Sequence, residues 1–255
     1  VEIHAAHAHG LLGGFLSPLY NKRCDEYGGD IDGRLRLTLE VIEEVRRVCG
    51  DDFIIDVRIS GDEYSDGGLN INDMTYVAKE LERVGVDMLH VSGGNTVKKG
   101  SSMPAPGSKQ GSHTHLSEYI KRQVNIPVAT VGRITEPWIA NEIIANGLAD
   151  ACMIGRANLC DPEFANKAYE GRTDEIKPCI GCTRCLNGIM FGKRVSCSVN
   201  PSFELENEDN IPESAEKKNV LVIGGGLAGL EAAYVLHKRG HHVVLCEASE
   251  RLGGQ

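Results

Sequence analysis

The sequence predicts an α/β protein with three parts: the later portion of a (β/α)8 TIM barrel (about strands four to eight), a cysteine-cluster segment, and the start of a Rossmann-like dinucleotide domain. Three observations predict it. From residue 1 to about 170, apolar runs alternate with amphipathic stretches. Histidine, glycine and arginine gather where those runs end. Four clustered cysteines, Cys179, Cys182, Cys185 and Cys197, then lead to the glycine turn Gly224-Gly225-Gly226-Leu227-Ala228-Gly229.

The strand-like runs are Val1–His4, Phe53–Ile59, Met88–Ser92, Pro127–Val131 and Ala151–Ile154. Between them, Gly33–Val48, Ile71–Val84, Leu116–Val124 and Pro137–Asn146 show helical spacing. In the first of these, Leu35, Leu37, Leu39, Val41, Ile42 and Val45 break strict strand alternation. Repeated strand–helix units predict a parallel sheet. Their count fits a barrel or an open doubly wound sheet equally, so the strand ends decide. His4/His7, Arg58, Ser92-Gly93-Gly94, Gly132-Arg133 and Gly155-Arg156 all fall at carboxyl ends. In a barrel those ends converge on one face, and the loops after the last two strands hold phosphate.

The expected domains are 1–170 for the barrel part, 171–203 for the cluster segment, 204–218 for a polar linker and 219–255 for the dinucleotide domain. The chain has 255 residues, 41% of them hydrophobic, enough for one large and one small domain. Its net charge of −9 and lack of a basic stripe argue against nucleic acid as a partner. No apolar run approaches membrane-spanning length, and the first residues read as domain interior rather than signal peptide. Nine cysteines, one dense cluster and no secretion signal point to a reducing compartment, the cytoplasm. Val1-Glu2-Ile3 reads as a strand already under way, and Gly253-Gly254-Gln255 ends just after a first βαβ piece. The chain therefore reads as part of a longer protein.

The cysteines follow C-x2-C-x2-C-x11-C. Clustered thiolates of this kind hold [4Fe–4S] clusters. Structural zinc is the competing reading, but a zinc knuckle pairs two C-x2-C arms, whereas three cysteines here come in one run. Cys246 ends a strand and reads as core. Gly224, Gly226 and Gly229 follow the strand Val220–Ile223 and open the helix Ala228–Arg239. These glycines allow a pyrophosphate to approach the helix N-terminus, and Glu247 is spaced to accept a ribose hydroxyl. The turn implies an ADP moiety without separating FAD from NAD.

His4 and His7 sit at and just past a strand end, with His9 beyond. Two imidazoles there can hold a substrate oxygen; a metal pair and plain packing are the alternatives. Arg58 is a cation expected inside the barrel, where it needs a bound anion, an electron-rich cofactor, or an ion pair with Asp56 or Glu2. Gly132, Arg133, Gly155 and Arg156 offer unobstructed N–H groups and guanidinium, which suits phosphate.

The runs Val1-Glu2-Ile3-His4-Ala5-Ala6-His7, Phe15-Leu16-Ser17-Pro18, Asn21-Lys22-Arg23 and Asp25-Glu26-Tyr27-Gly28-Gly29 resemble the old yellow enzyme family. With Cys179-Ile180-Gly181-Cys182 and Cys197-Ser198-Val199-Asn200-Pro201, the chain resembles its multi-cofactor iron–sulfur branch. That branch includes 2,4-dienoyl-CoA reductase, 2-enoate reductase and trimethylamine dehydrogenase. The resemblance covers essentially the whole chain. It implies FMN in the barrel, a [4Fe–4S] cluster beside it and FAD in the C-terminal domain, with electrons passing from NAD(P)H through FAD and cluster to FMN. It also implies that His4 and His7 bind the substrate's oxygen, that Arg58 lies beside the flavin, and that the two Gly-Arg pairs hold its phosphate. One departure stands out: aligning on Leu11-Leu12 puts Gly10 where relatives carry a proton-donating tyrosine. His9, next to it, or solvent then becomes the donor.

The sequence therefore points to an NAD(P)H-dependent iron–sulfur flavoenzyme that reduces the activated C=C bond of an enoate, enone or dienoyl thioester. Two alternatives stay open: an amine dehydrogenase with the same cofactors, and a non-catalytic electron-transfer flavoprotein.

Overall fold

The computed structural model describes residues 1–98, 101–203 and 211–254. They form two compact units, Val1–Pro201 and Ser202–Gln255. Of the expected linker, residues 204–210 lie outside the described residues.

In the first unit five strands pair in parallel and in chain order: β1 (Glu2–His4), β2 (Asp56–Ser60), β3 (Met88–Ser92), β4 (Val128–Thr130) and β5 (Ala151–Cys152). A doubly wound sheet reverses its order at a switch point. This one runs straight through, as a barrel wall does. The helices between are α1 (Gly10–Leu16), α2 (Ile31–Cys49), α3 (Ile71–Arg83), α4 (Thr114–Lys121) and α5 (Pro137–Ala145). After β5 come α6 (Arg156–Cys160), α7 (Phe164–Tyr169) and α8 (Arg184–Met190). The sequence anticipated α2 to α5 but not α1, α6, α7 or α8, which are all too short for a clear apolar period.

Local chemistry sets the helix ends. The Asp30 side chain accepts from Gly33 N–H at 2.9 Å and starts α2, and Gly50, at φ 87°, ends it. Asn70 and Asp73 form a capping box at the start of α3.

Alternation along the strands sorts the two faces. Val57, Ile59, Leu89 and Val91 are fully buried, and pack with Leu35 and Ile42 of α2, Met74, Val77 and Leu81 of α3, and Leu116 and Ile120 of α4. The other face carries Glu2 and His4, Asp56 and Arg58, His90 and Ser92. Register sets His4 beside Arg58 and Arg58 beside His90. One face thus holds the apolar core, and the opposite face brings polar side chains together.

In the second unit β6 (Asn219–Ile223) and β7 (His242–Cys246) are parallel, joined through α9 (Leu227–Lys238). None of the residues of these three elements is buried. Cys246, expected in a core, is exposed: α9 packs against β7, but the face that carries Cys246 has no covering layer among the described residues. Among those residues no helix is long and apolar enough to cross a membrane.

Candidate active site and cysteine cavity

A cavity of about 410 Å3 opens at the carboxyl ends of the barrel strands. His4, His7, His9, Arg58, Gly132, Arg133, Gly155 and Arg156 all line it, so the structure gathers these eight expected residues in one place. They come from the ends of β1, β2, β4 and β5, far apart in sequence.

The three histidines form a triangle, with ring centroids 5.8 Å apart for His4–His7, 5.0 Å for His4–His9 and 5.8 Å for His7–His9. The backbone after β1 turns sharply to achieve this, with His7 and Ala8 both left-handed at φ 64° and 52°. Such strain persists only where the surroundings hold it. Here His7 N–H donates to Ser60 Oγ at 2.8 Å, Thr96 N–H donates to the His7 carbonyl at 3.1 Å, and Ser60 Oγ donates to the Gly94 carbonyl at 2.9 Å. His7 Nδ1 lies 3.2 Å from the same Gly94 carbonyl. A carbonyl only accepts, so Nδ1 carries the proton and Nε2 keeps a lone pair.

Burial, and then the Arg58 cation, push the His7 pKa down to about 3. The same two causes lower that of His4. Both imidazoles are therefore neutral near pH 7. Arg58 forms no ion pair with Glu2 or Asp56 among the described contacts, and its Nε is buried without a partner. Instead Glu2 Oε2 meets His90 Nδ1 at 2.7 Å. Glu2, Asp56 and His90 are the one group among the described residues whose three potential ligand atoms lie within 4.8 Å of one another. His4 and His7 are not part of such a group. Burial and the neighbouring Glu2 raise Asp56 to about 7, so Glu2 stays ionised against His90 while Asp56 takes the proton.

Arg133 donates to the Ser108 carbonyl through Nη1, but its Nε is buried and unpartnered. Arg156 Nη1 donates to the Pro104 carbonyl at 3.0 Å. Two guanidinium groups with unused donors beside an open cavity fit an anionic group such as a flavin phosphate. Gly155 is open, with no atom within 4 Å of the place a Cβ would take. Gly132 is closed: a Cβ there would lie 2.5 Å from Ser112 Oγ.

The sequence reading missed His113, which is 3% exposed, lines the same cavity and leaves both ring nitrogens unpartnered. Burial pushes its pKa to about 4. Its position in the loop after β3, on the carboxyl face, is the signal that could have found it.

The four cysteines of the quartet line a second, narrow cavity together with Arg156, which borders both. No three of the four sulfurs belong to a group within 4.8 Å. A single zinc, with sulfurs at about 2.3 Å, needs them closer than that. The wider spread suits a polynuclear cluster. Val199 N–H lies 3.4 Å from Cys197 Sγ, and Cys182 Sγ lies 3.3 Å from Ser198 Oγ. Cys160, in α6 and outside the quartet, lines this cavity too.

In the second unit Gly224, Gly226 and Gly229 form the expected turn, with Gly226 capping α9. Glu247 follows β7 and lies against the turn. Its Oε2 accepts from Gly225 N–H at 2.6 Å and its Oε1 from Ser249 N–H at 2.8 Å, so it braces the turn itself. Gly253 N–H donates to the Gly225 carbonyl at 2.7 Å, folding a second glycine pair back onto the turn. The sequence reading did not use that pair.

The chain thus joins a parallel barrel wall, with a histidine- and arginine-lined cavity at its carboxyl end, to a dinucleotide-type glycine turn. Residues 1–175 match the NADH:flavin oxidoreductase / NADH oxidase family, and residues 222–255 match the NAD(P)-binding Rossmann-like domain. The chain belongs to the NADH:flavin oxidoreductase / NADH oxidase family, an FMN-dependent oxidoreductase family; FMN and NAD(P)H fit it. It is 43% identical to an NADH oxidase of Thermoanaerobacter brockii over 258 residues, covering 100% of this chain and 40% of that protein. A 2-naphthoyl-CoA reductase complex superposes with a TM-score of 0.92 at 29% identity, covering 99% of this chain and 39% of that one. Histamine dehydrogenase from Rhizobium sp. 4-9 gives 0.87 at 31% identity, covering 99% and 37%. The chain spans about two fifths of the length of the curated relatives it matches.

Proposed function

We propose that this chain belongs to a cytoplasmic, NAD(P)H-dependent iron–sulfur flavoenzyme that reduces an activated C=C bond. The observation that carries the reading is the lining of the barrel cavity. It holds four imidazoles and three guanidinium groups, with no carboxylate and no Phe, Tyr or Trp among the described residues. With the guanidinium groups given to the flavin, the His4, His7 and His9 rings remain to hold a carboxylate, enone oxygen or thioester carbonyl. A cationic amine needs the opposite, a carboxylate or an aromatic face.

In this reading Arg133, Arg156 and the open Gly155 hold the FMN phosphate, and Arg58 faces the flavin. Gly224, Gly226, Gly229 and the braced Glu247 hold the ADP part of FAD. Cys179, Cys182, Cys185 and Cys197 hold a [4Fe–4S] cluster. When bound, FMN would supply hydride chemistry, and FAD and the cluster would relay electrons drawn from NAD(P)H. His4 and His7 hold the substrate's oxygen. Neutral His7, with Nδ1 committed to Gly94, can donate from Nε2 only after taking up a proton. A carboxylate, or the enolate charge that develops as hydride arrives, favours that uptake. With hydride delivered to the carbon β to the activating group, the His9 ring, or solvent through it, would provide the proton for the α carbon.

The test uses the full-length protein purified without oxygen. After reduction by NADH, reoxidation of flavin absorbance by one member of an enoate, enone and thioester panel supports the reading. Bleaching of the oxidised protein by a small amine, with no response to the panel, moves the assignment to amine dehydrogenase.

A further inference from the structure

We propose that Ser60 is the positioning residue for His7: its hydroxyl locks the turn after β1 and leaves Nε2 as the ring nitrogen that meets a ligand oxygen. The inference rests on the reading that His7 holds the substrate's oxygen, and it adds a residue that does not itself line the cavity.

Ser60 ends β2 and is 4% exposed. A serine hydroxyl has one proton and two acceptor lone pairs. All three are committed to His7 or to the carbonyl beside it. One lone pair accepts the His7 backbone N–H at 2.8 Å. The proton goes to the Gly94 carbonyl at 2.9 Å. The second lone pair faces His7 Nδ1 at 3.3 Å, and the Gly94 carbonyl oxygen lies 3.2 Å from the same nitrogen. Both oxygens then accept, and Nδ1–H is shared between them. A tautomer with its proton on Nε2 would set the Nδ1 lone pair against the Gly94 carbonyl oxygen, with the Ser60 proton already spent.

Further bonds back this lock. Gly94, left-handed at φ 79°, donates its N–H to the Asp62 carbonyl at 2.7 Å. Asn95, 1% exposed, donates to the Glu63 carbonyl and to Ser65 Oγ, both at 2.9 Å, and forms an isolated bridge with His7. The ends of β1, β2 and β3 are thus tied around one imidazole. His7 and Ala8 are consecutive non-glycine residues in the left-handed region, a conformation that needs such outside support. Without the Ser60 hydroxyl the buried His7 N–H loses its partner, the turn relaxes, and Gly94 alone is left to orient the ring.

The experiment uses the full-length oxidised protein and two probes of one shape: phenol, whose oxygen can share a proton with Nε2, and toluene, which has no oxygen. Dissociation constants are read from the change in flavin absorbance for wild type, Ser60→Ala, His7→Ala and the double variant, with FMN content counted in each. We expect Ser60→Ala to weaken phenol binding on the order of tenfold, to leave toluene unchanged and to keep its FMN. On the His7→Ala background, Ser60→Ala should change nothing further, because the hydroxyl acts through His7. An equal loss on both backgrounds, an equal loss for both probes, no loss at all, or loss of FMN from Ser60→Ala each overturns the inference. If wild type binds phenol no more tightly than toluene, or His7→Ala binds it as wild type does, the reading of His7 as an oxygen-holding residue falls and the inference with it, an outcome distinct from the others.

Discussion

The barrel's carboxyl face and the turn before α9 each carry both closed and open glycines. A Cβ on Gly132 would lie 2.5 Å from Ser112 Oγ, and one on Gly229 would lie 1.9 Å from the Gly224 carbonyl oxygen. On Gly155 or Gly226 it would meet nothing within 4 Å. Closed glycines answer to the chain's own packing. Open ones are free of that constraint, which leaves their backbone approachable by a ligand. The two regions differ in their charges. Arg58 and Arg133 keep buried, unpartnered donors at the barrel site, whereas Glu247 has both oxygens satisfied by the turn. The barrel site keeps unused donors, whereas the turn pairs its own groups.

The sharpest way to break this comparison is Gly229→Ala. It should cost about 3 kcal/mol or more through overpacking, read as protease sensitivity of the second unit, and Gly132→Ala should destabilise the first unit similarly. Next, His7→Ala should slow reduction of the responsive enoate by on the order of 10²-fold, as for loss of one oxyanion-stabilising donor, measured by single-turnover flavin reoxidation. A smaller effect concerns Asp56, whose folded pKa is raised to about 7. A carboxyl with a raised folded pKa stabilises fully below its unfolded value and loses that contribution as pH climbs to the folded one. Stability should therefore fall between pH about 4 and about 7, and urea melts of Asp56→Asn should lack that slope.

The open glycines come next. Gly155→Ala and Gly226→Ala should leave stability within about 0.5 kcal/mol but lower FMN and FAD content respectively, by extraction and chromatography. Full cofactor content in both would remove the ligand explanation. Smallest is Arg47→Ala: its pair with Glu44 is fully solvated on α2, so denaturant melts should barely move.

Much of the first unit was legible because its signals are local. Period-2 and period-3.6 patterns placed five strands and α2 to α5, and strand ends carrying His4, Arg58 and the Gly-Arg pairs marked the cavity face. The short helices were not legible, since five to seven residues hold too little pattern. His113 was missed because a loop histidine looks the same whether it faces solvent or a cavity. Cys160 was missed because its distance in sequence from the quartet hides its place in the same cavity.

The sequence alone determined the alternation of strand and helix, the thiol spacing and the dinucleotide turn, because each depends on residues within about one element of one another. Only the tertiary structure decided which donors are left without partners, which glycines are open, and which thiol stands beside the quartet. Those properties arise from close packing between segments tens of residues apart, and local patterns carry no record of it.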